Sequence, residues 1–368
     1  MNTVKIKSEE QTAAPSLRDG GPCLDSELPF VSVLVPCRNE EKHIARCLDS
    51  ILANDYPKER LEILVLDGMS EDKTRDMVDD YSKRFPIIRI VENRKRTFPA
   101  AMNTGISQSR GDVLITMGAH SLCDVRYISS CVRYQREYGA ENVGGVCRIL
   151  PGADSSLAWS IVFALGSPFG SGNARVKIGA KRPTWSDAVA FGCYRREFLK
   201  LIGPFDERLL GSSDMDMNGR IRAAGGRILL APEIVVNYFA DATLGAFWKH
   251  NFADGVWATY VLKFGSKGWA WRHWAPMAFV ASLIACLGLS SLWRGFFWMF
   301  LAIMATYAVS SVGTSVRLAV RGRSAIFAFL LPCVFAVRHF AFGAGSLYGA
   351  FLAALPGVYW KGRRSAKG

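Results

Sequence analysis

Three short apolar runs in the first third of this 368-residue chain end in side chains able to do chemistry. Val31-Ser32-Val33-Leu34-Val35 is followed by Pro36, Arg38, Asn39 and Glu40. Leu61–Leu66 is followed by Asp67, Gly68, Ser70 and Asp72, and Val113–Met117 by Gly118, Ala119 and His120. Carboxylates, a guanidinium and an imidazole at consecutive strand ends supply donors, acceptors and candidate metal ligands for a polar ligand. Further on, Gly-Ser-Ser-Asp214-Met-Asp216-Met-Asn-Gly-Arg220 opens a segment with helical apolar spacing at Met217, Ile221 and Ala224. Aspartate is favoured at a helix start as a plain cap, and a carboxylate so placed can also accept a proton from a hydroxyl. Asp216 is the second candidate there, or the i,i+4 partner of Arg220. Asp187, in Trp185-Ser186-Asp187-Ala188, faces a ligand or sits in a turn; Asp124 supplies an oxygen ligand or caps the next helix.

The elements that must position these residues follow from periodicity. Strands are predicted at 31–35, closed by Pro36, and at 61–66, 87–91 and 113–117. Helices are predicted over 40–52, from a Ser70 cap to about Phe85, and over 98–107. Strands alternating with helices predict a parallel α/β sheet with right-handed crossovers, in which ligands bind at the carboxyl ends of the strands.

The charge is unevenly placed. The net charge is +13, but twelve basic residues and no acidic one lie beyond Asp254, so the first two-thirds is nearly neutral. That cationic end also holds the apolar runs 274–293 and 295–316, each near the roughly 20 residues needed to cross a bilayer. A third run, 324–360, is split by Arg338-His339. Basic clusters at 317–323 and 361–367 prefer the cytoplasmic side, which favours two crossings and a returning hairpin over three crossings. Thr243–Lys263, with Phe247, Trp248, Phe252, Trp257 and Tyr260 beside Lys249 and His250, is expected either at the membrane interface or packed on the soluble part. Residues 1–28 are polar and expected to be disordered, with no secretory signal. The nine cysteines have no framework spacing and read as reduced core residues. No contiguous basic face marks the soluble part, which argues against a nucleic-acid partner.

VSVLVPCRNEEKHIARCLDSIL, LEILVLDGMSEDKT, RGDVLITMGAHS, FGCYRREFLKLIGPFDE and SSDMDMNGRIRAAGGRI, in that order, resemble the blocks of family 2 glycosyltransferases over residues 30–235. RHFAFGAGSLYG resembles the tail of the exopolysaccharide subgroup, for example the succinoglycan-type enzymes. The resemblance implies a GT-A catalytic domain at 29–240, an interfacial segment at 241–270, membrane helices at 271–360 and a basic tail at 361–368. It places Pro36, Arg38 and Glu40 in the first nucleotide-binding loop, Asp67 at the base, and Gly118, Ala119 and His120 where a DXD motif normally stands. Asp214 falls on the general base of inverting transfer, and Asp187 and Trp257 on the acceptor side.

Two departures shape the expectation. Gly118 and His120 replace the aspartates of the triplet, so His120 either ligates a divalent ion, Mn2+ more readily than Mg2+, or donates directly to phosphate. Near the membrane entry His250–Trp257 keeps the tryptophan of a QxxRW element but not its glutamine or arginine, which implies one sugar per acceptor. The resemblance thus implies a multi-pass plasma-membrane enzyme with a cytoplasmic catalytic domain. It would move one sugar from a uridine-linked donor to a polyprenyl-diphosphate-linked saccharide, alone or beside other polysaccharide-assembly proteins. A transferase charging polyprenyl phosphate and a non-catalytic scaffold are the alternatives.

Overall fold

The chain is described by a computed structural model covering residues 28–266, 271–356 and 360. Nearly all of the polar run at 1–28, and the basic tail at 361–368, lie outside the described residues. β1 (Val31–Cys37), β2 (Leu61–Asp67), β3 (Ile88–Glu92) and β4 (Val113–Thr116) pair in parallel in the order β3-β2-β1-β4. They alternate with α1 (Ile44–Leu52), α2 (Thr74–Arg84) and α3 (Phe98–Gln108). Every residue of β1 and β2 is buried, which is why both read as near-continuous apolar runs. Odd-numbered residues of β1, such as Val33 and Val35, join Ile44, Leu48 and Val78 in one core. Leu34 faces the other way, onto Leu64, Met102 and Met217.

Two details differ from the pattern. Pro36 does not close β1, which runs on to Cys37 and pairs it with Asp67. Ser70 does not cap α2, which starts at Thr74; the Ser70 hydroxyl instead donates to Asp67 at 2.5 Å.

The parallel arrangement stops at β4. α4 (Tyr127–Tyr138) leads to β5 (Asn142–Leu150), and a long excursion follows through α5 (Ser156–Leu165), α6 (Pro168–Ser171), α7 (Arg175–Ile178) and β6 (Thr184–Trp185). β7 (Ala190–Arg195) then inserts antiparallel between β4 and β5. α8 (Arg196–Ile202) and α9 (Ser213–Ala223) precede β8 (Ile228–Phe239), which runs parallel to β5 and antiparallel to β6. The result is one eight-stranded mixed sheet, β3-β2-β1-β4-β7-β5-β8-β6.

α10 (Leu244–Tyr260) crosses from the sheet to the apolar helices α11 (Trp271–Leu289), α12 (Arg294–Arg321) and α13 (Ile326–Ala354), each long and apolar enough to cross a membrane. α13 is a single helix through Arg338-His339, not a hairpin. Both side chains point into protein and are satisfied there: Arg338 donates to the Gly170 carbonyl, to Asn251 Oδ1 at 2.7 Å and to Ser171 Oγ at 3.3 Å. His339 pairs with the Phe169 carbonyl and the Tyr307 hydroxyl.

α10 and α13 run backbone to backbone. A Cβ on Gly255 would stand 2.1 Å from the Phe342 carbonyl oxygen, and one on Gly345 would stand 2.1 Å from that of Phe252. Small residues at this seam permit the close approach, and Thr259 seals it by donating to the Ser346 carbonyl at 2.7 Å. The aromatic residues of α10 mostly turn inward for the same reason: Phe247, Trp257 and Tyr260 are buried, while Trp248 is exposed.

Candidate active site

The loops after β1 and β2 are stitched together. The Asn39 N–H donates to Ser70 Oγ at 2.9 Å, Glu71 N–H to Asn39 Oδ1 at 2.9 Å, Glu40 N–H to Thr74 Oγ1 at 2.8 Å and Gly68 N–H to the Cys37 carbonyl at 2.8 Å. Asn39 adopts φ 56°, a left-handed conformation that its short polar side chain tolerates. Gly68 lets the strands close: a Cβ there would lie 3.2 Å from both Arg38 Cβ and the Cys37 oxygen. This frame brings Pro36, Arg38, Glu40 and Asp67 to one sheet end. The Arg38 Nε is buried and has no hydrogen-bond partner. Asp67 is 0 % exposed, accepts from Ser70 and lies 3.7 Å from Arg75 Nε. A carboxylate has about four acceptor positions, so this one retains capacity for a ligand donor.

The third strand end contributes Gly118, Ala119 and His120. Ala119 is buried, and the turn closes through Ser121 N–H onto the Gly118 carbonyl. A Cβ at Gly118 would stand 3.2 Å from two ring carbons of Phe191. The aromatic ring of β7 thus fills the space that an aspartate in the first place of a DXD triplet would need. His120 is partly exposed, with Nδ1 3.7 Å from Glu40 Oε1. Among the described residues no group of three or more His, Cys, Asp and Glu side chains is gathered for a metal. An ion bound mainly through diphosphate oxygens needs only one or two protein ligands, and an imidazole beside a carboxylate suits Mn2+. The donor set therefore fits an ion shared with a diphosphate. Asp124 is not part of it: its carboxylate accepts from Arg126 N–H at 3.0 Å at the entry to α4.

Asp214 stands in the first turn of α9, after Ser212 at φ 57°. The backbone N–H groups of Met215 and Asp214 favour its ionised form, and among the described residues no cation pairs with it. The side chain is open to solvent while protein surrounds it closely, as on the floor of a cleft. That desolvation, reinforced by the charge of Asp254, raises its carboxyl above the usual range, against the backbone donors and Lys177. Asp216 by contrast is buried and bound by Arg220 Nε at 2.9 Å. The GPFDE segment before α9 is fastened to α3: Asn103 donates to the Phe205 carbonyl at 2.9 Å and accepts from Phe205 N–H at 2.8 Å.

The two residues expected on the acceptor side have other posts. Asp187 is paired with Arg272, which ties the loop before β7 to α11. Trp257 is 7 % exposed and packs under Gly211, where a Cβ would meet its ring at 2.5 Å. It supports the loop that starts α9 instead of presenting a face to ligand. Sequence reasoning missed Lys177 and Asp254, whose charges both act on Asp214. Lys177 lies in a four-residue helix, too short for any periodicity to mark it, and Asp254 reads as one more polar position of α10.

A mixed sheet with a stitched ligand frame at the carboxyl ends of its parallel strands, followed by apolar helices, is the architecture of the GT-A class. Residues 32–200 match the family described as Glycosyl transferase family 2. The chain is 29 % identical over 266 residues to the dolichyl N-acetyl-alpha-D-glucosaminyl phosphate 3-beta-D-2,3-diacetamido-2,3-dideoxy-beta-D-glucuronosyltransferase of Methanococcus voltae, covering 70 % of this chain and 81 % of that one. It is 24 % identical to the succinoglycan biosynthesis protein ExoA of Rhizobium meliloti, over 85 % of this chain and 92 % of that one. Among solved structures, a mannosyltransferase of Pyrobaculum calidifontis in complex with GDP-Man and Mn2+ superposes with TM-score 0.55 at 19 % identity, covering 88 % of both chains.

Proposed function

We propose that this glycosyltransferase moves one sugar at a time from a uridine-linked nucleotide-sugar donor to a lipid-linked saccharide at the cytoplasmic leaflet, with inversion at the anomeric carbon. The observation that carries the reading is the contrast between two neighbouring carboxylates. Asp216 is sealed by Arg220, whereas Asp214 is open, free of any cation partner among the described residues, and raised in pKa toward a working base.

In the proposed step, Asp214 takes the proton of an acceptor hydroxyl as that oxygen bonds to the anomeric carbon. The bond from that carbon to the β-phosphate oxygen breaks, and the nucleoside diphosphate leaves with the electron pair. Pro36, Arg38 and Asp67 hold the nucleotide, and the orphaned Arg38 Nε is available to a phosphate or ribose oxygen. A divalent ion, when bound by His120 and Glu40, would neutralise charge on the diphosphate. The apolar helices support a lipid-linked acceptor, because a substrate confined to the bilayer meets a tethered enzyme at high effective concentration. The Methanococcus voltae relative is named for a dolichyl-phosphate-linked sugar acceptor, and ExoA for succinoglycan biosynthesis.

The test is transfer from labelled uridine-diphospho sugars to lipid-linked saccharides in isolated membranes, for wild type and Asp214→Asn. Turnover that survives the substitution would remove Asp214 as the base.

A further inference from the structure

One cation near Asp214 is without a partner. Among the described residues the Lys177 ammonium makes no hydrogen bond or ion pair, although the residue lies only partly exposed on α7 against β5. Its charged neighbours at the junction are engaged. Arg272 is paired with Asp187, and Arg338 is spent on Gly170, Asn251 and Ser171. Asp254 lies 3.7 Å from His250 Nε2, and His250 is bonded to Asp241 at 3.0 Å.

Burial holds the Lys177 ammonium below its ordinary pKa. Arg338 and Arg272 push the same way, and the charge of Asp254 opposes them. Both arginines reach the segment that leads into α7: Arg338 bonds Gly170 and Ser171, and a Cβ on Gly172 would stand 3.2 Å from Arg272 Cβ. A half-buried, unpaired ammonium is costly unless an anion joins it.

We propose that Lys177 is an anion subsite for the phosphate that links the acceptor saccharide to its lipid. The proposal rests on the glycosyltransferase reading above. A compact ammonium suits a phosphate as a point charge. The charges acting most strongly on Lys177 belong to β5, α10, α11 and α13, and none to the loops after β1, β2 or β4 that frame the nucleotide. A phosphate at Lys177 is therefore approached from the apolar helices, as a lipid-borne group would be. Lys177 also acts on Asp214, so the anchored phosphate lies near the base that receives the acceptor proton.

The test uses the full chain in nanodiscs and three probes: geranylgeranyl diphosphate, geranylgeraniol and inorganic pyrophosphate. Geranylgeranyl diphosphate should bind wild type, lose roughly tenfold or more in Kd with Lys177→Gln, and recover with Lys177→Arg. Geranylgeraniol binding and UDP binding should be unchanged by Lys177→Gln. A fall in UDP affinity would assign Lys177 to the donor diphosphate and overturn the proposal. Pyrophosphate binding as tightly as the lipid diphosphate, with the same loss, would make it a free-phosphate site and overturn the lipid part. Acetylation of wild-type Lys177 by acetic anhydride, read by mass spectrometry, is independent of variant folding. Geranylgeranyl diphosphate should protect it, and equal labelling with and without the probe would also overturn the proposal. A chain that binds no nucleotide but keeps the Lys177-dependent lipid diphosphate binding would instead break the transferase reading.

Discussion

The ring of Phe191 lies over Gly118, with two of its carbons 3.2 Å from where a side chain at 118 would begin. Phe191 is held there: its φ is 44°, a rare conformation for a bulky residue, and its carbonyl accepts from the Tyr127 hydroxyl at 3.0 Å. The missing aspartate is thus a packing solution shared by two strands. Gly118→Asp should destabilise the protein by about 1–3 kcal/mol, as overpacking does, and should lower transfer. Phe191→Ala should cost stability alone yet relieve Gly118→Asp in the double variant, a coupling measured by a double-mutant cycle. Additive effects would show that the ring does not set the residue at 118.

Asp214 should trade stability for activity. Its folded pKa is raised by the protein that surrounds it and by the charge of Asp254, so the native state favours the protonated form. Stability therefore falls as pH rises from the usual carboxylate value through the raised one, and stays lower above it. Asp214→Asn should melt higher than wild type at neutral pH while losing about 10²–10⁴ in kcat, the range for a lost general base. The acid limb of the wild-type rate profile should lie above the ordinary aspartate pKa. A variant that melts lower at neutral pH contradicts the desolvated-carboxylate account.

His250 adds to the same trend at higher pH. Its hydrogen bond to Asp241 and the charge of Asp254 raise its pKa against the effect of burial. The protonated pair stabilises the fold fully below the ordinary histidine pKa, and this contribution is lost as pH rises through the raised value. The melting temperature of wild type should fall across that window. His250→Gln should flatten the slope there, as scanning calorimetry between acid and mildly alkaline buffers would show.

Much of the nucleotide half was legible because β1 and β2 are covered on both faces and so print continuous apolar runs, punctuated by Pro36, Gly68 and Gly111. The acceptor half was not. β5 carries Gly144-Gly145, where the register with β8 shifts, and a Cβ at Gly145 would meet the Ile234 carbonyl oxygen at 1.8 Å. β8 passes through Pro232, and β6 is two residues long. None of these has the alternation that marks a strand. The same limit governs the site. Asp214 shows itself by local spacing, but Asp187 is claimed by Arg272, 85 residues away, and Trp257 by Gly211, pairings that no local pattern encodes. The polar pair Arg338-His339 looked like a break because its partners, Gly170 and Phe169, lie 168 and 170 residues away.

The ion requirement gives a sharp test of the turn after β4. Transfer should rise with Mn2+, and His120→Ala should raise the Mn2+ needed for half-maximal rate by about tenfold or more. Glu40→Gln should act in the same direction, because the imidazole and the carboxylate are 3.7 Å apart and would share one ion. Activity untouched by chelator would instead leave His120 as a direct donor to the diphosphate.

The clamp between α10 and α13 should be structural. Arg338 is held by Asn251, Ser171 and the Gly170 carbonyl, and Asn251 itself donates to the Phe247 carbonyl at 2.6 Å. Removing the guanidinium leaves buried acceptors unpaired, and hydrogen bonds to a charged group are worth about 1.5–3 kcal/mol each. Arg338→Met should therefore lower the melting temperature in nanodiscs and expose α6 to protease, because α6 is bonded to the middle of α13. Asn251→Ala should cost less, and the pair should be strongly non-additive in a double-mutant cycle. UDP binding should be unchanged, since the clamp lies apart from the loops after β1 and β2. If Arg338→Met abolished UDP binding while the fold melted normally, the clamp would have to reach the nucleotide frame through the sheet, and the division of labour between the two halves would fail.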